Sequence, residues 1–113
     1  MAVDWKIENL ECKISENGLS NVVYKIQCIC KVTDIIDSKS YMSAKRIIVV
    51  LPIETPDPLN FIEFNNLTKT QVVEWIENSL GEEDLSTLTL ELSTQNNLKA
   101  NPIVVTLDPP FNN

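Results

Sequence analysis

Two periods of apolar residues follow one another along this chain. Up to about residue 53 they recur at every second position, and from residue 67 they recur at three and four. The first spacing belongs to strands with one buried face and the second to amphipathic helix. Residues 22–32 show the first most clearly. Val22, Tyr24, Ile26, Cys28, Cys30 and Val32 share one face, and Lys25, Gln27, Lys31 and Thr33 lie on the other. Residues 5–14 read as a strand that slips phase. Trp5 and Ile7 have one parity, Leu10, Cys12 and Ile14 the other. A strand changes parity only by gaining a residue, so a β-bulge is expected near Glu8-Asn9.

Asn17-Gly18 between these strands is a hairpin signal. A two-residue turn there pairs Cys12 with Val23 and sets the two apolar sets on opposite sides. A loop of Asn17-Gly18-Leu19 instead pairs Ile14 with Val22, Cys12 with Tyr24 and Leu10 with Ile26. Burial of one common face selects the longer loop. Beyond the bulge, Ile7 then meets Cys28 and Trp5 meets Cys30. Residues 34–40 read as a polar connection with its tip at Asp37-Ser38-Lys39-Ser40, and residues 41–53 as the third strand. Residues 47–51 are apolar without a break, which points to cover on both faces or to a partner. Ile48 and Val50 are the candidate contacts. Pro52 closes the strand, and Pro56 and Pro58 hold an extended connector.

Thr68 with Gln71 three residues on forms a capping box, and Leu67 with Val72 a hydrophobic staple. Val72, Trp75, Ile76 and Leu80 line one helical face, and Gly81 is placed to end the helix. The carboxylates of Glu82-Glu83-Asp84 suit the start of a second helix, on which Leu85, Leu88 and Leu92 share a face. Residues 87–93 also alternate as a strand does; the acidic start favours helix. Pro102, Pro109 and Pro110 make the remainder an extended tail ending in Phe111-Asn112-Asn113. The expectation is an α+β domain: a three-stranded antiparallel β-meander (1–53), a Pro-rich connector (54–66), two C-terminal α-helices packed on one face (67–98) and a Pro-rich tail (99–113).

Composition narrows the chemistry. Sixteen acidic residues against nine basic ones give a net charge of −7, with only Lys45 and Arg46 adjacent among the cations. Such a surface repels phosphate backbones and anionic headgroups, so neither nucleic acid nor membrane is expected as a partner. Histidine is absent, which removes the commonest general base and zinc ligand. The three cysteines, Cys12, Cys28 and Cys30, are an odd number without disulfide spacing. With no signal peptide and no bilayer-length apolar run, they point to a reducing cytoplasm.

Each chemical candidate has a plainer account. Cys28 and Cys30 fall on one strand face and read as core filling rather than as metal ligands or a redox pair. Glu74, Glu77, Glu82, Glu83 and Asp84 lack the alternating donors of a calcium loop and read as a solvated face. Glu54 and Asp57 on the connector fare no better. Asn66-Leu67-Thr68 matches a glycosylation acceptor but is more simply a helix cap. Two distant glycines build no phosphate cradle, and without histidine no serine is an activated nucleophile. No catalytic, cofactor-binding or metal residue is assigned, and the chain is expected not to be an enzyme. Paired carboxylates at a hydrolytic site are the enzymatic alternative. Phe111 behind Pro109-Pro110 is a large apolar side chain that suggests docking, on this domain or on a neighbour.

The chain resembles a family of small proteins of tailed bacteriophages, of the marine and cyanobacterial type. The resemblance rests on Trp5-Lys6-Ile7, Phe61-Ile62-Glu63-Phe64, Leu67-Thr68 through Val73, Trp75-Ile76, Leu80-Gly81-Glu82, Asn101-Pro102 and Pro109-Pro110-Phe111. It covers most of the chain and brings no chemically specific motif. It implies a virion-associated or assembly role, located in the virion or the host cytoplasm, with the protein itself or other virion proteins as partners. Ile48, Val50, Pro109, Pro110 and Phe111 are the expected partner-binding residues. A phage protein that redirects a host protein is the alternative.

Overall fold

A computed structural model of the chain describes residues 1–16, 18–51 and 63–111. Three strands, β1 (Ala2–Glu16), β2 (Leu19–Ile36) and β3 (Lys39–Val50), form an antiparallel meander in the order β1-β2-β3. A short 3-10 turn, Phe64–Asn66, precedes a helical element, α1 (Lys69–Ala100). The sheet and the α+β class are as expected. Where two helices were expected, there is one element, and Gly81 interrupts it with non-helical torsions (φ 79°, ψ 167°). The break comes where the sequence put it, as a kink at one residue rather than a connection. Residues 87–93, ambiguous in sequence, are helical.

Among the described residues, only one face of the sheet is covered. Trp5, Val23, Ile26, Cys28, Cys30, Val32 and Val49 on this inner face pack with Val72, Ile76, Leu88 and Leu92 of α1. Val72 and Ile76 fall on one side of the kink and Leu88 and Leu92 on the other, so both arms of α1 contribute to one core.

The β1–β2 register holds a bulge where phase analysis required one, between Ile7 and Asn9, and pairs Trp5 with Cys30, Ile7 with Cys28 and Leu10 with Ile26. The hairpin end departs from expectation. Glu16 pairs with Leu19 and Cys12 with Val23, which is the register of the short loop; Asn17 itself lies outside the described residues. A second irregularity, between Glu11 and Cys12, resolves the conflict of faces by leaving Tyr24 as the extra residue on β2. Its carbonyl accepts from the Leu51 N–H at 2.7 Å, and its ring lies 4.9 Å beneath the Lys13 ammonium. Val23, not Val22, therefore joins the core, while Val22 is buried outside it. Ile14, expected on the buried face, is 85% exposed beyond the reach of α1.

The second hairpin is also tighter than expected. β2 runs to Ile36, β3 begins at Lys39, and Asp37 and Ser38 alone make the turn, both at positive φ (52° and 68°). That is the twist-matched two-residue turn of hairpins, built here without glycine. At the other end of β3, Pro52 and Ile53 and the connector prolines Pro56 and Pro58 lie outside the described residues, as do Glu54, Asp57, Phe61 and Ile62.

Thr68 caps α1, its hydroxyl accepting from the Gln71 N–H at 3.3 Å. Only half of the capping box forms, because the Gln71 Oε1 is buried without a hydrogen-bond partner among the described residues. Further along, the apolar stripe Leu85-Leu88-Leu92 continues at Asn96, which is fully buried. Asn96 Nδ2 donates to the Val32 carbonyl and to Asp34 Oδ2, both at 2.9 Å, and its Oδ1 accepts from Ser43 Oγ at 2.6 Å. Ser93 Oγ also donates to Asp34 Oδ2, at 2.9 Å. One amide thus joins α1 to both β2 and β3, and fixes where along the sheet the second arm rests. These hydrogen bonds, from Asn96 above all, hold the Asp34 carboxyl below the ordinary aspartate value of 3.8.

On the outer face, Glu8 at the first bulge takes Arg46 of β3 across the width of β2, at 2.6 and 3.0 Å. This forked pair holds the Glu8 carboxyl below its usual range.

Three outcomes follow from this arrangement. A Cβ at residue 81 would meet no atom within 4 Å, so Gly81→Ala is opposed by backbone torsion alone. It should cost about 1–3 kcal/mol, read as a lower urea midpoint at unchanged slope. Asn96→Ala strands the Val32 carbonyl and the Ser43 hydroxyl in the core and should cost about 2–4 kcal/mol in the same assay. The Asp34 carboxyl binds its proton more weakly folded than unfolded, so its contribution is complete above the unfolded value and is lost as pH falls through the folded one. Urea midpoints from neutral pH down to about pH 2 should show Asp34→Asn with a shallower acid limb than the parent chain.

Candidate functional site

Three partly or wholly apolar surfaces stand out on the described part of this molecule. Ile48 and Val50 sit opposite Gln27 and Lys25 on the outer face and are 58% and 61% exposed, while Val49 between them is buried. Among the described residues, the unbroken apolar run of β3 is thus covered on its inner side only. Ile29 of β2 is half-buried on the same outer face, two residues from Gln27.

The segment after α1 is the second apolar surface. Pro109, Pro110 and Phe111 are exposed, Phe111 at 83%. So are Ile103, Val104, Val105 and Leu107, which sequence reasoning passed over. Their signal was present: four aliphatic residues in five positions between Pro102 and Pro109. Residues 102–109 adopt neither helix nor strand.

The third surface is a groove of about 490 Å³ along the free side of β1. Trp5, Ile7 and Leu10 line one wall, and Phe64, Leu67 and Val72 the other. It exists because α1 lies over β2 and β3, leaving Ile7, Leu10 and Cys12 of β1 only partly covered. Lys69 bridges the mouth to Asp4 at 3.3 Å and holds the Asp4 carboxyl below its usual range.

The titratable candidates serve packing and solvation. Cys28 and Cys30 are fully buried in the core, as their shared face implied. Burial pushes the Cys28 thiol up to about 11, so it stays protonated and weakly nucleophilic near neutrality. Glu74, Glu77, Glu82, Glu83 and Asp84 are all exposed on α1. Among the described residues no three acidic, cysteine or histidine side chains converge as metal ligands would. Nor is any helix among them long and apolar enough to cross a membrane.

Neither a curated protein nor a solved structure matches the chain. A family model does, over residues 1–109, which takes in the meander, the kinked helix and most of the apolar tail. The chain belongs to the family described as Domain of unknown function (DUF7936).

Proposed function

We propose that this protein is a non-enzymatic structural or assembly component of a tailed-phage particle, acting through protein–protein association. The observation that carries the association is the tail. Ile103, Val104, Val105, Leu107 and Phe111 stand in water on a segment that this fold does not cover, and contiguous apolar surface of that kind marks a docking element. Ile48 and Val50 on β3 add a second apolar surface on the outer face. Pro109 and Pro110 restrict the chain ahead of Phe111, which lowers the entropy lost when it docks. The phage assignment rests on the sequence resemblance. The partners are the protein itself or other virion proteins, and the location is the virion or the host cytoplasm.

A host-directed role is the second reading. The exposed acidic residues Glu74, Glu77, Glu82, Glu83 and Asp84 on one stretch of α1 would complement a basic partner.

Mass spectrometry of purified particles of a phage encoding this chain separates the two. A virion component is recovered at a fixed stoichiometry, whereas a host-directed protein remains in the lysate. The described residues removed by truncation after Asn101 are all exposed, so it should change stability by less than about 0.5 kcal/mol while abolishing incorporation. Full incorporation of the truncated chain would exclude the tail as the docking element.

A further inference from the structure

We infer that two copies of this protein pair through the free edges of β1, antiparallel and about a dyad at the Glu8-Asn9 bulge, to form one six-stranded sheet. This rests on the association reading above and names a surface and a partner for it.

The bulge sets the register. Before it, Trp5 and Ile7 face inward and Asp4 and Lys6 outward; after it, Leu10 and Cys12 face inward and Asn9, Glu11 and Lys13 outward. Outward-pointing N–H and C=O groups change phase at the same place, because they alternate with the side chains. A second β1 laid antiparallel must set like face against like face. Across an uninterrupted strand, a pairing centred between two residues would oppose inner to outer positions. Here the bulge reverses parity at that centre, so the pairing through it matches throughout. Val3 meets Ile14 of the second copy, Asp4 meets Lys13, Trp5 meets Cys12, Lys6 meets Glu11 and Ile7 meets Leu10.

Charge then agrees with a register chosen without it. Every charged residue of β1 between Val3 and Ile14, Glu8 at the dyad apart, meets its opposite, and each pair occurs twice by symmetry. Val3 and Ile14, both exposed in the single chain, cover one another. The two grooves beside β1 join across the dyad into a trough that shelters Ile7 and Leu10 of both copies. The opposite edge offers no such match: β3 carries Lys39, Lys45 and Arg46 and no acid, so no register of its self-pairing sets opposite charges together. Charges and a bulge on an edge strand commonly guard against pairing. On β1 they guard against other strands while being complementary to themselves.

Lys6 and Glu11 give the sharpest test: among the described residues Lys6 makes no ion pair within its own chain, whereas Asp4 is already engaged by Lys69 at 3.3 Å. Sedimentation of the full chain should show a monomer–dimer equilibrium. Lys6→Glu alone and Glu11→Lys alone each create two like-charge contacts and should weaken the dimer about tenfold or more, with unchanged circular dichroism. An equimolar mixture of the two variants restores both attractions and should dimerise like the parent. Val3→Cys with Ile14→Cys should yield, on mild oxidation, a covalent dimer linked between those positions. A parent chain that is monomeric up to millimolar concentration overturns the proposal and leaves a heterologous virion contact intact. A dimer indifferent to both variants overturns this edge while keeping self-association. Growth into open polymers overturns the dyad in favour of β1 joining β3.

Discussion

Cover on one face of β2 is the constraint on which the rest of the fold depends. Ile26, Cys28, Cys30 and Val32 are fully buried in the middle of the sheet, and α1 shields them from water. Alternate residues of a strand point to opposite sides, so every other element must present its apolar residues to that same side. β1 does this by gaining Glu8, and β2 does it near the hairpin by leaving Tyr24 unpaired. α1 does it by bending at Gly81, which lets Ile76 and Leu92 both reach the core. Bulges and kink are the geometric terms on which an imperfectly phased sequence buries one continuous surface.

That requirement also explains which parts were legible in the sequence. The first bulge was visible because the apolar residues themselves change parity between Ile7 and Leu10. The second was not, because Val22, Val23 and Tyr24 are consecutive apolar residues, and any of them could have been assigned to the core. Reading them as strictly alternating made the short turn look unacceptable and led to a longer loop. The tight turn at Asp37-Ser38 was hidden because serine stands at residue 38, where glycine usually follows aspartate in such hairpins. Asn96 was hidden for another reason. A polar residue at a core position of a helix looks like an interruption of the stripe until the strand carbonyl and carboxylate that it bonds are known.

The candidate surfaces were read less completely than the core. Ile48 and Val50 stood out because a strand with one wet face should not be apolar at both parities. Phe111 stood out because of its size and its place behind two prolines. The aliphatic residues before it carry no such punctuation, and a run of Ile, Val and Leu without a recognisable period gives no hint of whether it is buried. The groove beside β1 depends on how far α1 extends across the sheet, which helical spacing does not encode. What sequence did convey is the place of Cys28 and Cys30: their positions on β2 put both thiols in the core, where apolar surroundings keep Cys28 protonated.

The two bulges have a consequence for how the first hairpin reaches a single alignment. Strands that alternate evenly can shear past one another by two residues and present the same faces, which leaves room for misaligned hairpins of similar energy. β1 and β2 cannot shear in this way. Their central window is offset by one residue from the segments on either side, and the offset is introduced on one strand and removed on the other. Any slide of β1 along β2 would carry Glu8 away from Arg46 and Glu11 away from Lys25 together. The pair of irregularities acts as a ratchet, giving a long two-stranded ribbon one seating among several that its composition alone would allow.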